Sequence, residues 1–141
     1  MAAVVSESKK PHTWPIRVYY EDTDSGGVVY HSNYLNFMER ARTEWLRELG
    51  FEQTYLKDEL NVVFVVHSVV IDFKKPAKFN DLLTVNSEIT KAGRVSLEFL
   101  QKISINSQLL VQAQVKVACV NILSFKPTAI PKSVLLKMES I

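Results

Sequence analysis

The run Glu21–Tyr34, E-D-T-D-S-G-G-V-V-Y-H-S-N-Y, passes directly into an apolar-periodic segment that stops at Gly50, and the rest of the chain is organised around it. Two of the four glycines, Gly26 and Gly27, fall here. Glycine accepts positive φ and close backbone approach, so the pair suits a tight turn whose main-chain N–H groups face something other than solvent. A helix beginning near Ser32 or Asn33 adds unpaired N–H groups and the positive end of its dipole at the same place. One of two acids, Asp22 or Asp24, therefore faces a set of amide donors. That arrangement suits a base or nucleophile beside an oxyanion site.

The helix is expected over Ser32–Leu49, with Gly50 as the residue that ends it. Tyr34, Met38, Ala41, Trp45 and Leu49 recur at helical spacing, and Leu35, Phe37 and Leu46 widen the stripe beyond what a surface helix needs. Such a helix packs deeply against a sheet. Glu39, Arg40, Thr43, Glu44 and Arg47 lie on the other side; Arg42 falls inside the apolar arc and is expected to snorkel or to pair with a carboxylate.

Outside this unit the chain reads mostly as strands. Met1–His12 is polar and lysine-bearing, a partly ordered leader, and residues 13–141 are expected to form one domain. Thr13–Glu21 is β-branched and aromatic, with Pro15 placing its start at an edge or first position. Phe51–Asn61 is a connector with room for a short helical turn. Strands follow at Val62–Phe73, Leu82–Thr90, Val95–Ile105 and Leu109–Asn121, with a hairpin-like K-A-G-R turn at Lys91–Arg94 and a final helical turn at Ser133–Met138. Val62–Phe73 is apolar on both faces, so it is expected to be covered on both, with His67 a hydrogen-bonded core histidine. The order implies an α+β sheet wrapped around or against one helix.

Composition narrows the function classes. Of 141 residues, 47% are hydrophobic and 23% charged, a globular balance, and no purely apolar run exceeds the five residues of Val62–Val66, far too short to span a bilayer. No apolar signal segment opens the chain, so cytoplasmic residence is the expectation. A net charge of +2 on scattered Lys and Arg argues against a nucleic-acid surface. The single cysteine, Cys119, has apolar neighbours at alternate positions and reads as a small core residue, not a zinc ligand or reactive thiol. A calcium loop at D-T-D needs a third acid before the glycine and a Glu at its end, where Ser25 and Asn33 stand. A phosphoaspartyl hydrolase needs a much larger domain.

The segment Tyr19–Leu46, Y-Y-E-D-T-D-S-G-G-V-V-Y-H-S-N-Y-L-N-F-M-E-R-A-R-T-E-W-L, resembles the signature of the hotdog-fold acyl-CoA thioesterases. It is most similar to their Tol-Pal-associated, YbgC-type branch and more distantly similar to 4-hydroxybenzoyl-CoA thioesterase. D-F-K-K-P-A at Asp72–Ala77 extends the likeness, which covers about Ile16 to Pro131. The resemblance implies a five-stranded antiparallel sheet curled around the long helix in the order 1-3-5-4-2. It also implies a homodimer or homotetramer with sites at subunit boundaries, and an acyl-CoA or acyl-carrier-protein substrate. No metal or cofactor is implied beyond the coenzyme A of the substrate.

Carried over by position, the catalytic carboxylate falls on Asp24, leaving Asp22 as a turn or capping group. The backbone N–H that polarises the thioester carbonyl falls at His31, whose side chain is a further catalytic candidate. The substrate-binding positions are Gly27, Tyr30, Tyr34, Arg94 and Ser96; the last two match the family's phosphate-binding segment, with Lys74, Lys75 and Lys91 as additional cations. Two other roles fit the same resemblance: a non-enzymatic acyl-binding or envelope-assembly scaffold, and a hydroxyacyl dehydratase.

Overall fold

A computed structural model describes residues 11–139. Strand β1 (His12–Arg17) leads through a 3-10 turn at Tyr20–Asp22 into helix α1 (His31–Glu48). Helix α2 (Gln53–Leu60) precedes strands β2 (Val62–Phe73), β3 (Leu82–Ala92), β4 (Ser96–Ile105) and β5 (Gln108–Asn121), and helix α3 (Lys132–Glu139) follows. The α+β order is the expected one. His12 belongs to β1, not to a leader: its ring stacks on Trp14 and Trp45 at centroid distances of 6.5 and 5.5 Å. Residues 1–10 of the expected leader lie outside the described residues. No described helix is long and apolar enough to cross a membrane.

Every strand pair is antiparallel and the five-stranded sheet runs β1-β3-β4-β5-β2. The expected order 1-3-5-4-2 is therefore wrong in its middle. The reason is local, because short hairpins join β3 to β4 and β4 to β5 and hold consecutive strands side by side. In the second, Asn106 and Ser107 take φ of 48° and 68°, as a two-residue hairpin loop requires.

α1 buries Tyr34, Phe37, Met38, Ala41, Trp45 and Leu46 against the inner face of the sheet, where Leu83, Val85, Phe99, Ile103, Val111 and Val115 are buried in turn. Trp45 meets Phe99 edge to face at 5.9 Å. Each fully buried side chain of this size contributes about 1.5–3 kcal/mol. Leu35 and Leu49 mark the margins of the stripe: Leu35 is 40% exposed and Leu49 only partly buried.

One inward position on β4 breaks the apolar alternation. Gln101, between Phe99 and Ile103, is fully buried; its Nε2 donates to the Met38 carbonyl (3.0 Å) and to Ser87 Oγ (2.9 Å). Its Oε1 accepts from Arg42 Nη1 at 2.8 Å. Arg42 is thus only partly exposed, and among the described residues it pairs with no carboxylate. Burial pushes its pKa down, opposed by the charge of Glu39 one turn earlier.

β2 departs most from expectation. It lies at the edge of the sheet, and Val66 and Val70 are 49% and 69% exposed. A register shift between Val66 and Ser68 leaves His67 outside the ladder and exposed, so it is a bulge residue and not a core histidine. The extra residue also resets the alternation. Phe64 and Phe73, opposite in parity, both come to the α1 side, opposite Cys119 and Val111.

Cys119 is buried, its thiol pointing to the Ala129 carbonyl at 3.8 Å, and burial raises its pKa to about 11. At pH 8 only about one such thiol in a thousand is ionised, so native protein should resist iodoacetamide and react fully once unfolded in urea. Mass spectrometry of the alkylated chain checks this. Gln101→Leu, which keeps volume but strands Ser87 and Arg42, should lower stability by about 2–4 kcal/mol, measured as a shift of the urea midpoint at constant slope.

Candidate active site

The acidic turn is a miniature hairpin. Thr23 bridges Val29, the Asp24 N–H donates to the Val28 carbonyl (2.9 Å), and the Gly27 N–H donates to the Asp24 carbonyl (3.0 Å). Gly27 sits at φ +82°, a conformation side chains rarely adopt. The Gly26 N–H donates to Asp24 Oδ1 at 2.8 Å, which fixes the carboxylate while leaving Asp24 exposed. A side chain at Gly26 would start 3.2 Å from that oxygen.

The two acids have different fates. Asp22 is buried; its Oδ2 accepts from the Tyr19 N–H (2.9 Å) and its Oδ1 from Asn33 Nδ2 (3.0 Å). Its carbonyl also accepts the Tyr30 N–H at 2.9 Å. Asp22 therefore ties the exit of β1 to the first turn of α1.

That helix begins one residue earlier than expected, at His31. Tyr30, its N-cap, provides no side-chain hydrogen bond, and no acidic residue occupies the first turn. The Asn33 N–H turns back to the Tyr30 carbonyl (2.9 Å), and the His31 and Ser32 amides are left for an external acceptor, with the helix dipole favouring negative charge. The His31 ring lies against Phe73, 4.7 Å between centroids, and beside Tyr30 at 6.4 Å.

Asp24, His31 and Tyr34 line one recess of about 180 Å³ together with Val28, Val29, Phe73, Lys74, Lys75 and Pro76. The Tyr34 hydroxyl accepts from the Ala77 N–H at 3.0 Å; burial raises its pKa, the Ala77 bond lowers it and the Asp81 charge raises it. Tyr34 stays a neutral phenol and forms a wall. Tyr30 is 56% exposed and Gly27 lies in the turn; neither lines the recess.

Arg94 and Ser96 are not brought to the recess either. They lie in the β3–β4 hairpin, where the Arg94 carbonyl accepts from the Ile130 N–H and the Ser96 carbonyl from the Gly93 N–H. Lys91 lines a different hollow beside Ser68 and Val70. The cations beside Asp24 are Lys74 and Lys75, and Lys74 is paired with Asp72 at 2.9 Å. Phe73 as a wall of the site escaped the sequence reading, although D-F-K-K-P-A contained it. Among the described residues no group of three or more His, Cys, Asp or Glu could hold a metal ion.

The Thioesterase superfamily profile matches residues 26–112. The acyl-CoA thioesterase YbgC of Haemophilus influenzae is 49% identical over 122 residues, covering 86% of this chain and 90% of that protein. An acyl-CoA thioester hydrolase YbgC from Escherichia coli is 47% identical over 127 residues, or 89% and 94% of the two chains. Among solved structures, a probable thioesterase from Bartonella henselae superposes with a TM-score of 0.83 at 38% identity, covering 86% of this chain and 99% of that one. With a family profile spanning most of the chain and relatives near half identity over most of their own length, this chain belongs to the thioesterase superfamily.

Proposed function

We propose that the protein is an acyl-CoA thioesterase in which Asp24 and the amide end of α1 act on one thioester. The observation that carries this reading is the shared recess: an exposed carboxylate and an uncapped helix N-terminus open on the same small space. The acyl-CoA hydrolase names of the relatives favour hydrolysis over a non-catalytic scaffold or a dehydratase.

The chemistry needs little more than these two groups. The thioester carbonyl oxygen takes a hydrogen bond from the His31 N–H, where developing negative charge is stabilised by donors already in place. Asp24 delivers the oxygen nucleophile, from its own carboxylate or from a water whose proton it accepts. Collapse of the tetrahedral adduct breaks the C–S bond, and where Asp24 itself attacked, water then hydrolyses the acyl–Asp24 mixed anhydride. A thiol of pKa near 8.5 leaves as thiolate without a strong acid, so no Ser-His-Asp set is required. Overall, one water and one thioester give a carboxylic acid and the free thiol of coenzyme A. Lys74 and Lys75, beside the recess, are better placed to attract the coenzyme's phosphates than Arg94 and Ser96.

The exposed apolar edge of β2 supports a homodimer formed by edge pairing, with each site at the boundary.

Asp24→Asn should reduce kcat/KM for acyl-CoA hydrolysis about 10³-fold with an unchanged melting temperature, read by thiol release with a chromogenic disulfide. Undiminished turnover would remove Asp24 from the mechanism. In sedimentation, the 16.1 kDa chain should run at about twice that mass. Introducing like charges on the free edge, Val66→Lys with Val70→Lys, should give a folded monomer that has lost turnover. An active monomer would rule out a site that needs the boundary.

A further inference from the structure

A larger recess, about 350 Å³, lies toward the other end of α1, between that helix and the inner face of β2, β4 and β5. Apolar side chains such as Phe64, Leu97 and Phe99 wall it, and Arg42 and the more exposed Glu39 supply its charge. Among the described residues the guanidinium is held by Gln101, through one bond of 2.8 Å. Gln101 is itself locked, both hydrogens of its Nε2 being taken by Met38 and Ser87, so its oxygen is left to face Arg42. Among the described residues no carboxylate lies within ion-pair distance of Arg42, and Glu39 acts on it only at longer range. A guanidinium offers five N–H donors in a planar fork. A partly desolvated cation with a neutral partner gains most from an anion with two coplanar oxygens, which accepts a pair of charge-assisted bonds.

Within one chain this cavity cannot serve the thioester at Asp24. His31 lines the Asp24 recess and Arg42 the cavity, a separation of about 16 Å along α1. Edge pairing of β2 removes that distance. Full antiparallel overlap of two Val62–Phe73 strands sets Phe73 of one copy opposite Val62 of the other, beside Phe64. Phe73 walls the Asp24 recess, Phe64 walls the Arg42 cavity, and the bulge at His67 has brought both to the same face of the sheet.

We infer that an acyl group whose thioester lies at Asp24 and His31 of one subunit extends into the Arg42 cavity of the other. The favoured substrates are then acyl-CoAs with a carboxylate at the far end of a short chain, that is, monothioesters of dicarboxylic acids. This inference rests on the thioesterase reading above.

The test compares glutaryl-CoA with valeryl-CoA, equal in length and differing in the terminal carboxylate. The wild-type dimer should show a kcat/KM ratio favouring glutaryl-CoA by about tenfold or more, and Arg42→Met should lower that ratio by a similar factor while Arg42→Lys keeps part of it. Mixing Arg42→Met chains with Asp24→Asn chains should restore glutaryl-CoA turnover, because the mixed dimer holds one site with Asp24 from the first and Arg42 from the second. Valeryl-CoA hydrolysis equal to or faster than glutaryl-CoA hydrolysis in the wild type overturns the inference, whether or not the variants fold, and leaves the thioesterase reading standing. A ratio unmoved by Arg42→Met, or no recovery on mixing, overturns it as well. If neither thioester is hydrolysed by the wild type, the thioesterase reading falls and this inference with it.

Discussion

The buried carboxylate of Asp22 is the interaction on which the geometry of the site depends. It accepts one hydrogen bond from the backbone leaving β1 and another from Asn33 in the first turn of α1. Hydrogen bonds to a charged group are worth about 1.5–3 kcal/mol each, enough to hold the turn against the entropy of a glycine pair. Because Asp22 fixes both ends, the loop between them has a single path, and Asp24 is carried to its outer side. Two acids separated by one residue thus divide the work. The inner one has its hydrogen-bonding capacity committed to the fold, whereas the outer one has one oxygen steadied by Gly26 and remains exposed.

The same turn explains why α1 can keep an unsatisfied N-terminus. A helix start ordinarily carries a Ser, Thr, Asp or Asn at its N-cap, worth about 1 kcal/mol. Here Tyr30 occupies that position without a side-chain bond, and Ser32 and Asn33 lie one and two residues inside the helix. The helix tolerates the loss because its stability comes from elsewhere: Phe37, Met38 and Ala41 are fully buried against the sheet. Burial along one face therefore leaves the amide end available to a ligand.

Much of this was legible because it is periodic or local. α1 followed from 3.6-residue spacing, β4 and β5 from alternation, and the acidic turn from residues close together in sequence. The failures share a cause in long-range placement. β2 reads as a doubly covered strand, since its composition is apolar throughout, but composition does not report that the strand has a neighbour on one side only, nor that His67 interrupts its alternation. The position of the cations depends on how the end of β2 meets β5, where the Lys74 and Lys75 N–H groups both reach the Leu110 carbonyl. No spacing rule relates those residues. Gln101 is a different case: a polar residue on the apolar face of β4 was visible in the alternation itself, and Arg42 in the apolar arc of α1 was its visible counterpart.

These departures from simple patterning are not scattered. The exposed apolar edge of β2, the uncapped start of α1 beside Phe73 and the Arg42 guanidinium near Phe64 all lie along or next to one strand. An apolar edge of this length left bare is a site for adventitious pairing. Pairing it with a second copy would satisfy its backbone groups and withdraw the recess from water at the same time. In the lower dielectric that results, the interaction of the His31 amide with a developing oxyanion strengthens, as does that of Arg42 with any carboxylate that reaches it. Assembly and chemistry are then driven by one burial event, and the features that look costly in the isolated chain are the ones that the assembled site would use.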